Sequence, residues 1–330
     1  MDDYLDSQFF PTLLETEREN ADSFFASAPP LQDRELITSD VQKFVSRRLQ
    51  LEPEDKMCNP RARVVCVTSG GTTVPLERRC VRFIDNFSSG HRGAASTEYF
   101  LKAGYAVIFI NRRGSAQPFC RSLPEDPLLT CFEPDDKGAI RPTATHAATV
   151  QRAIKEHHLA IKAGNLLNLQ YTTLFEYIQI LQIVSIAMNP LRQNGMFYLA
   201  AAVSDFYVPW NSMVEHKIQS RSGPLAMELA QVPKMLTLLR QLWAPLAFCV
   251  SFKLETDTEI LIKKAQQALK RYRMHAVVAN ELQTRKQKVI VVTDRGETIV
   301  ERDESHTDVE ILLVDFLIKQ QTSYINASAE

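Results

Sequence analysis

Short apolar runs separated by longer mixed stretches dominate the chain from residue 60 onward. Seven of these runs have the length of strands: Arg63–Val67, Ala106–Ile110, Leu166–Gln170, Phe197–Val203, Leu246–Phe252, Ala276–Ala279 and Val289–Thr293. Most are continuous rather than alternating, which is typical of strands buried on both faces of a sheet. Because helical stretches lie between them, the pattern predicts an α/β fold with a doubly wound, mostly parallel, Rossmann-like sheet.

Local signals predict where several of these elements begin. Thr173, Thr256 and Thr307 are each followed three residues later by a glutamate, the spacing of a helix capping box. Near the end of the chain, Asp294-Arg295-Gly296-Glu297 predicts a hairpin turn that leads into Thr298–Arg302. We therefore expect the sheet to carry a C-terminal antiparallel hairpin.

The same pattern divides the chain into two parts. Residues 1–59 are predicted to form an N-terminal, partly helical extension, in which Ser39-Asp40 caps a helix whose apolar positions begin at Val41. Residues 60–330 are predicted to form the α/β domain. Within that domain, the proline-rich stretch at about 114–146 predicts a surface loop inserted between two βα units.

Composition and charge exclude several classes of protein. Apolar residues make up 45% and charged residues 23% of the chain, which excludes a disordered tail and a coiled coil. With 38 basic and 39 acidic residues the net charge is −1, so no overall field attracts nucleic acid or a membrane surface. Any site for an anion must therefore be local.

No targeting segment is expected. The first twenty residues are acidic and lack the basic start of a signal peptide, and the apolar stretch Tyr177–Met188 is too short to span a bilayer. The six cysteines form no C-x-x-C pair and no zinc-like cluster with the histidines. Reduced structural thiols, and hence a cytoplasmic location, are the expectation.

Glycine is concentrated after the first predicted strand. The chain has eleven glycines, and four of them fall between residues 70 and 93. In Thr68-Ser69-Gly70-Gly71-Thr72 two adjacent glycines allow backbone N–H groups to approach an anion. A tight turn explains them equally well, since neither a Walker loop nor the dinucleotide-binding G-x-G-x-x-G is present.

The next segment, residues 82–93, is a stronger candidate for an anion site. It combines Ser88, Ser89, Gly90 and Gly93 at a predicted helix start, where N–H groups, hydroxyls and the helix dipole favour a negative charge. Nearby arginines supply a local positive field that the net charge conceals. The alternative is ordinary helix capping by one of the two serines.

Polar residues also follow the later strands, where ligands bind in doubly wound sheets. Asp205 ends the strand predicted at Phe197–Val203 and is either a ligand-facing carboxylate or a turn residue. Asn280 follows the strand Ala276–Ala279; a buried asparagine needs hydrogen-bond partners, which a nucleotide can supply. Phe252 is either core or a cover for a base, and Lys217 lies in a polar loop.

Taken together, these stretches resemble the phosphopantothenoylcysteine synthetase (phosphopantothenate–cysteine ligase) family in its eukaryotic single-function form. The resemblance spans residues 60 to about 320 and includes neither the N-terminal extension nor the 114–146 loop. The matching stretches are Val67–Thr72, Val81–Gly90, Ala200–Pro209, His216–Ser220, Ser251–Asp257 and Val277–Asn280.

The resemblance implies a reaction driven by ATP, with CTP possible, in the presence of Mg²⁺. The carboxylate of 4′-phosphopantothenate attacks the α-phosphate and forms an acyl-nucleotidylate with release of pyrophosphate. The amine of L-cysteine then displaces the nucleoside monophosphate. It also implies a homodimer, and it does not indicate which residues bind the metal.

Residue roles are implied in the same way. Arg82 reaches the neighbouring subunit's substrate site, and Asn86 holds the acyl-nucleotidylate. Lys217 lies on a flap that covers the site, and Asn86 and Lys217 are the implied catalytic residues. The implied nucleotide-binding residues are Gly70, Ser88, Gly90, Gly93, Phe252 and Asn280. The implied phosphopantothenate-binding residues are Arg82, Asn86, Ala201, Ala202 and Asp205.

Two other functions remain open at this point. Asn111-Arg112-Arg113 after the second predicted strand suits the 2′-phosphate of NADP, as in a reductase. However, the glycine fingerprint is absent, and no tyrosine has a lysine four residues later. A catalytically silent relative that binds nucleotide as a regulatory subunit is the second alternative.

Overall fold

The computed structural model describes residues 2–51, 62–124, 128–219 and 223–328, and only the backbone of residues 2–13. The boundary predicted between residues 59 and 60 lies outside these ranges, as do Cys58 and Ser220. The division into an extension and a domain therefore remains a prediction.

An eight-stranded sheet forms the centre of the molecule, in the order β14-β13-β12-β11-β8-β1-β4-β7. Its strands are β1 (Val64–Ser69), β4 (Ala106–Arg112), β7 (Leu166–Tyr171), β8 (Gly195–Leu199), β11 (Phe248–Glu255), β12 (Ala276–Glu281), β13 (Lys288–Thr293) and β14 (Gly296–Glu301). The strands from β12 to β7 are parallel, and the hairpin β13–β14 is antiparallel. The predicted α/β fold and its C-terminal hairpin are thus confirmed.

Short two-stranded ribbons and helices complete the described structure. The ribbons pair β2 (Thr73–Pro75) with β3 (Phe83–Asp85), β5 (Phe132–Pro134) with β6 (Ile140–Pro142), and β9 (Phe206–Tyr207) with β10 (Ala230–Gln231). The helices are α1 (Asp2–Ser27), α2 (Arg34–Leu49), α3 (His91–Lys102), α4 (Ala147–Lys162), α5 (Leu174–Met188), α6 (Met235–Leu238), α7 (Thr258–Arg271) and α8 (Val309–Ala327).

Each face of the sheet has its own apolar core. Helices α2, α5 and α7 contribute to the core on one face, and α3, α4 and α8 contribute to the core on the other. The central strand β1 is buried along its whole length, as its continuous apolar run predicts. Strand order reverses between β1 and β8, so a crevice for ligands is expected at the carboxyl ends of these two strands.

The strand predicted at Phe197–Val203 is shorter than expected and ends at Leu199. Beyond it, the N–H of Ala202 donates to Gly70 O at 2.8 Å, and Ala202 O accepts from the N–H of Thr72 at 3.0 Å. These bonds hold the segment after β8 against the loop after β1. Asp205 therefore does not end the strand but precedes the ribbon β9–β10.

Only one of the three predicted capping boxes forms. Thr173 caps α5, and Glu176 completes its box. Asp257, and not Thr256, caps α7 through a bond from Ile260 N. At α8 the N-cap is Asp308 rather than Thr307, and its carboxylate is used by Tyr99 and Arg121 instead of the helix.

The N-terminal helices pack on the α5 side of the sheet. Phe24 and Val41 are buried in that core, and Phe24 contacts Tyr207 of β9 with ring centroids 5.2 Å apart. Helix α2 begins at Arg34, after the N-cap Asp33, so the cap predicted at Ser39-Asp40 is wrong. The apolar face that this prediction rested on is nevertheless buried.

One helical segment among the described residues, Leu174–Asn194, is long and apolar enough to cross a membrane. However, 67% of its most apolar window is buried inside the protein. Burial of this kind is typical of a core helix.

Candidate functional site

The loops that follow β1 and β8 are joined by hydrogen bonds at the crevice. The N–H of Ala201 donates to Thr68 Oγ1 at 3.1 Å, and Ala202 bonds to Gly70 and Thr72 as described above. Gly70, Ala201 and Ala202, to which the family resemblance implies two different ligands, are therefore brought together.

Gly70 and Gly71 are required by close packing. Gly70 has φ +85°, and a Cβ on it would lie 2.7 Å from Arg112 Cβ. A Cβ on Gly71 would lie 1.5 Å from Asn86 O, which leaves no room for any side chain. Since Asn86 N also donates to Thr72 O at 3.1 Å, the glycine pair holds Asn86 against the loop after β1. The close packing of this segment thus positions a candidate catalytic residue.

The start of α3 faces the same crevice. Its N-cap is Gly90, with φ +78°, and no side chain caps the helix, so the predicted capping by Ser88 or Ser89 is wrong. A Cβ on Gly93 would lie 2.4 Å from Ser69 Cβ, so the helix packs directly on the end of β1. Capping by a serine was the alternative to an anion site here, and a helix start without a side-chain cap can bind an anion through its N–H groups and dipole.

Phe252 of β11 and Asn280 of β12 lie on the face of the sheet that is covered by α3. Phe252 is half-buried and packs edge-on against Tyr198, with ring centroids 4.8 Å apart. The hydroxyl of Tyr198 bonds in turn to Ser96 of α3 at 2.7 Å. Asn280 is two residues beyond Val278, which belongs to the core on that face. Phe252, Asn280 and helix α3 therefore share one side of the sheet.

Asn280 carries a buried acceptor without a partner. Its Nδ2 donates to Lys253 O and Val278 O, both at 3.2 Å, which fixes the orientation of the amide. Its Oδ1 is buried and has no hydrogen-bond partner within the described structure. Buried polar atoms are rarely left unpaired, so this oxygen indicates a missing donor.

Arg82 and Lys217 lie in two segments that contact each other. Arg82 Nη1 donates to Glu77 Oε1 at 3.1 Å and to Ile218 O at 2.9 Å. Lys217 itself is exposed. The arginine is thus held next to the segment that carries the candidate flap lysine.

Asp205 is the one candidate site residue with a carboxylate, and it is exposed. Its side chain is 80% exposed, and its Oδ1 lies 4.0 Å from Lys234 Nζ. Its main-chain oxygen accepts from Val232 N at 2.9 Å. Asp205 can therefore reach a ligand, but the structure does not bury it in the crevice with Ala201 and Ala202.

Sequence reasoning missed two residues. Glu77 is fully buried and bonds both Arg82 and Ile218, but a single glutamate beside arginines gives no such signal. Ser251 has a buried Oγ without a partner in the described structure, at the end of a run that indicates only a strand. Neither property depends on local sequence, so only the tertiary structure reveals it.

A cavity of about 770 Å³ opens beside the start of α3. It lies between Ser88, the segment after β4 and helix α4, and Arg112, Phe119 and Ile154 are among its lining residues. Phe252 and Asn280 do not line it. The cavity therefore adjoins the candidate nucleotide site and shares Ser88 with it.

The described residues contain no group of three or more His, Cys, Asp or Glu side chains arranged to hold a metal ion. Magnesium commonly binds through one or two carboxylates plus the phosphates of a substrate. A magnesium ion that binds together with a nucleotide does not need such a group.

Comparison with known proteins places this geometry in context. A family model described as the DNA/pantothenate metabolism flavoprotein C-terminal domain matches residues 171–314. Phosphopantothenate–cysteine ligase 2 of Oryza sativa subsp. japonica is 58% identical over 305 residues, which are 92% of this chain and 93% of the relative. The phosphopantothenate–cysteine ligase of Homo sapiens is 46% identical over 272 residues, 80% and 88% of the two chains.

A solved structure has the same fold over most of its length. It is a mutant of Cab2 in complex with phosphopantothenate-cysteine, with a TM-score of 0.84 and 36% identity. The match covers 93% of this chain and 99% of that one.

Proposed function

This chain belongs to the phosphopantothenate–cysteine ligase family, and on that premise we propose that it joins 4′-phosphopantothenate to L-cysteine. It is a ligase of coenzyme A biosynthesis that forms a carbon–nitrogen bond. The resemblance found in the sequence is thereby confirmed. The reductase alternative loses its support, since Arg112 forms a 2.7 Å ion pair with Asp85 and none of the relatives named above is a reductase.

We propose a two-step reaction driven by a nucleoside triphosphate. The phosphopantothenate carboxylate attacks the α-phosphate, and pyrophosphate leaves. The cysteine amine then attacks the acyl carbon of the acyl-nucleotidylate and loses its proton, and the nucleoside monophosphate leaves. Substrates held at the junction of two loops meet in one orientation, which removes much of the entropic cost of the reaction.

Four of the candidate residues have a stated task in this scheme. The start of α3, with Gly90, binds the triphosphate through N–H groups, and Asn86 donates to the oxygens of the activated carboxyl group without adding charge. Arg82 binds a phosphate through its guanidinium, and Lys217 brings a positive charge over the site. Negative charge develops on oxygen in both steps, so fixed donors at this position lower the barrier.

Asn280 is the observation that carries the nucleotide part of the proposal. Its unpartnered Oδ1 is an acceptor, on the same side of the sheet as the start of α3. Adenine and cytosine each present an exocyclic amino donor, whereas guanine and uracil present a carbonyl at the corresponding position. We therefore propose ATP as co-substrate, with CTP as the alternative that the same oxygen accepts. A magnesium ion bound to the triphosphate would neutralise part of its charge.

A second copy of the chain is the proposed partner. Phe83 and Ile84 of β3 are 52% and 41% exposed, and Phe87 is 91% exposed. Within the described residues β3 pairs only with β2, so an apolar surface and a free strand edge occur together. Such surfaces mark sites of association. Arg82 is adjacent to β3 and would be carried toward the neighbouring site, and we propose a cytoplasmic location for the dimer.

The test measures pyrophosphate release from purified protein with magnesium and 4′-phosphopantothenate. ATP, CTP, GTP and UTP are supplied in turn, with and without cysteine. We expect release that requires phosphopantothenate, is sustained only with cysteine, and occurs with ATP or CTP but not with GTP or UTP. Folded protein that releases no pyrophosphate with any nucleotide would support the catalytically silent relative instead.

A further inference from the structure

The turn between β2 and β3 contains a carboxylate that binds two other parts of the site. Glu77 is 0% exposed, and its Oε2 accepts from Arg82 N at 2.8 Å. Its Oε1 accepts from Arg82 Nη1 and from Ile218 N, both at 3.1 Å. One buried side chain thus bonds the backbone and guanidinium of Arg82 and the residue that follows Lys217.

These bonds are strong enough to keep Glu77 charged. Burial raises the pKa of its carboxyl, but the bonds from Arg82 N, Ile218 N and the Arg82 guanidinium outweigh burial and hold the pKa below its ordinary value. Arg82 Nη1 also donates to Ile218 O at 2.9 Å, so the guanidinium is fixed from two sides. Charge-assisted bonds of this kind restrict orientation as well as adding stability.

The backbone on either side is joined in the same way. We define the flap segment as residues 214–219, which contain Lys217. Arg78 N donates to Val214 O at 3.0 Å, and Arg79 N donates to Glu215 O at 3.3 Å. Arg79 Nε also pairs with Glu215 Oε1 at 3.1 Å. The flap segment is therefore bound at its base to the turn that carries Arg82, while Lys217 itself stays exposed.

We propose that Glu77 is a positioning residue that orients Arg82 for its place in the neighbouring copy's site and anchors the flap segment that carries Lys217. This inference rests on the proposed function for the roles of Arg82 and Lys217. The set of hydrogen bonds by which Glu77 joins Arg82 to Ile218, here called the clasp, is observed in the structure whatever the function is. Glu77 touches no reacting atom, and its effect passes through the two residues that it holds.

The test replaces the carboxylate with an amide of nearly the same shape. In Glu77→Gln one acceptor oxygen becomes an NH₂ group, so at least one of the three donors loses its partner. Glu98→Gln is the matched control, since Glu98 is also buried and accepts from a backbone N–H, that of Phe119, and from a guanidinium, that of Arg121. Both variants should lose similar stability in chemical denaturation.

Kinetics and proteolysis then separate positioning from general stability. We expect Glu77→Gln to raise the KM for phosphopantothenate about tenfold, the effect of losing one charge-assisted bond, with the KM for the nucleotide unchanged. Trypsin should cleave after Lys217 faster in Glu77→Gln than in wild type. Glu98→Gln should change neither the KM for phosphopantothenate relative to that for the nucleotide nor the rate of cleavage after Lys217. Glu77→Asp keeps the charge on a shorter side chain and should restore part of the phosphopantothenate affinity.

Two results would overturn the inference. One is an equal change of both KM values in Glu77→Gln; the other is cleavage after Lys217 at the wild-type rate. If Glu77→Gln fails to fold, the same measurements on Glu77→Asp decide the question. Wild-type protein without ligase activity would refute the proposed function, but the cleavage rate would still test whether Glu77 anchors the flap segment.

Discussion

Single residues at the end of β1 determine how closely the loops of the site approach one another. Gly71 has no space for a Cβ because Asn86 O lies against it. Gly93 has no space for a Cβ because the side chain of Ser69 lies against it. From the sequence alone, the adjacent glycines Gly70 and Gly71 are equally consistent with a turn and with a phosphate-binding loop. Only the contact between Gly71 and Asn86 explains how this segment contributes to a site.

Asn280 is expected to control nucleotide recognition. Asn280→Ala removes the Oδ1 acceptor, so the KM for ATP should rise about tenfold, the effect of one lost hydrogen bond in a buried site, while the KM for phosphopantothenate stays unchanged. The matched control is Asn194→Ala, because Asn194 also has a buried Oδ1 without a partner but precedes β8 at the opposite end of the sheet. A comparable rise in the control would contradict the assignment.

Arg82 is expected to act on the other substrate. Arg82→Ala should raise the KM for phosphopantothenate more than that for the nucleotide, because the proposed role of the guanidinium is to bind the phosphate of phosphopantothenate. Steady-state kinetics with each substrate varied in turn measure the two values. Arg121→Ala is the control, since Arg121 also pairs with a buried glutamate, Glu98. Equal effects of Arg82→Ala on both substrates would reject its role.

At the scale of elements, irregular segments carry the site and regular ones support it. The N-terminal extension, which the sequence left without a role, packs against the ribbon that follows Asp205. Glu17 Oε2 accepts from Lys234 N at 3.1 Å, and Phe24 packs on Tyr207. Helix α1 therefore supports the chain around Asp205, an arrangement that joins residues about two hundred positions apart and has no local signal.

A partly buried histidine next to the C-terminal strands, His275, should make the stability of the protein depend on pH. His275 precedes β12; its Nδ1 accepts from Cys249 N at 3.0 Å, and its ring stacks on Phe248. Burial, assisted by the charge of Arg240, lowers the pKa of His275 to about 3. The folded state keeps it neutral, whereas the unfolded chain binds a proton below about pH 6.5, so stability falls as pH decreases below that value.

Chemical denaturation at about pH 7.5 and about pH 5 measures this effect, which should amount to about 1–2 kcal/mol of unfolding free energy. In His275→Gln the loss between the two pH values should be smaller by that amount, because glutamine does not titrate. His158→Gln, at an exposed helical position, is the control and should keep the wild-type difference. The same pH difference in wild type and His275→Gln would contradict the prediction.

At the scale of the whole molecule, the sheet topology brings the two halves of the site together. β1 lies between β4 and β8, so the loops after β1 and β8 meet where strand order reverses. The ribbon β2–β3 extends from this point and presents apolar side chains to solvent. A site at the base of such a ribbon is suited to receive a residue from a second copy.

Phe83→Asp tests this arrangement. Phe83 is 52% exposed on β3, so a charge there should prevent dimer formation with little loss of fold stability. Light scattering should then give the mass of one chain, and ligase activity should fall because Arg82 no longer reaches its site. Leu129→Asp, at an 81% exposed position in the 114–146 loop, should leave both mass and activity unchanged. A dimeric and active Phe83→Asp protein would refute the proposed interface.

The sequence by itself determined the class of fold, the C-terminal hairpin and the family. These follow from continuous apolar runs, from local turn residues and from long ordered motifs, all of which are properties of neighbouring positions. It also indicated the glycines, Asn86 and Asn280 as site residues. It misplaced the end of β8, where Ala202 bonds to the loop after β1 instead of continuing the strand. It also misplaced the caps of α2, α7 and α8. At α8 distant residues take the Asp308 carboxylate, whereas at α7 the adjacent Asp257 caps the helix instead of Thr256.

Only the tertiary structure decided how these residues act together. The unpartnered Oδ1 of Asn280, the clasp at Glu77 and the support of the Asp205 region by α1 each depend on burial or on contacts between distant segments. A buried carboxylate or amide has the same sequence signature as an exposed one, since burial is a property of the surrounding chain. Its chemistry is therefore set by the fold and not by its neighbours in sequence.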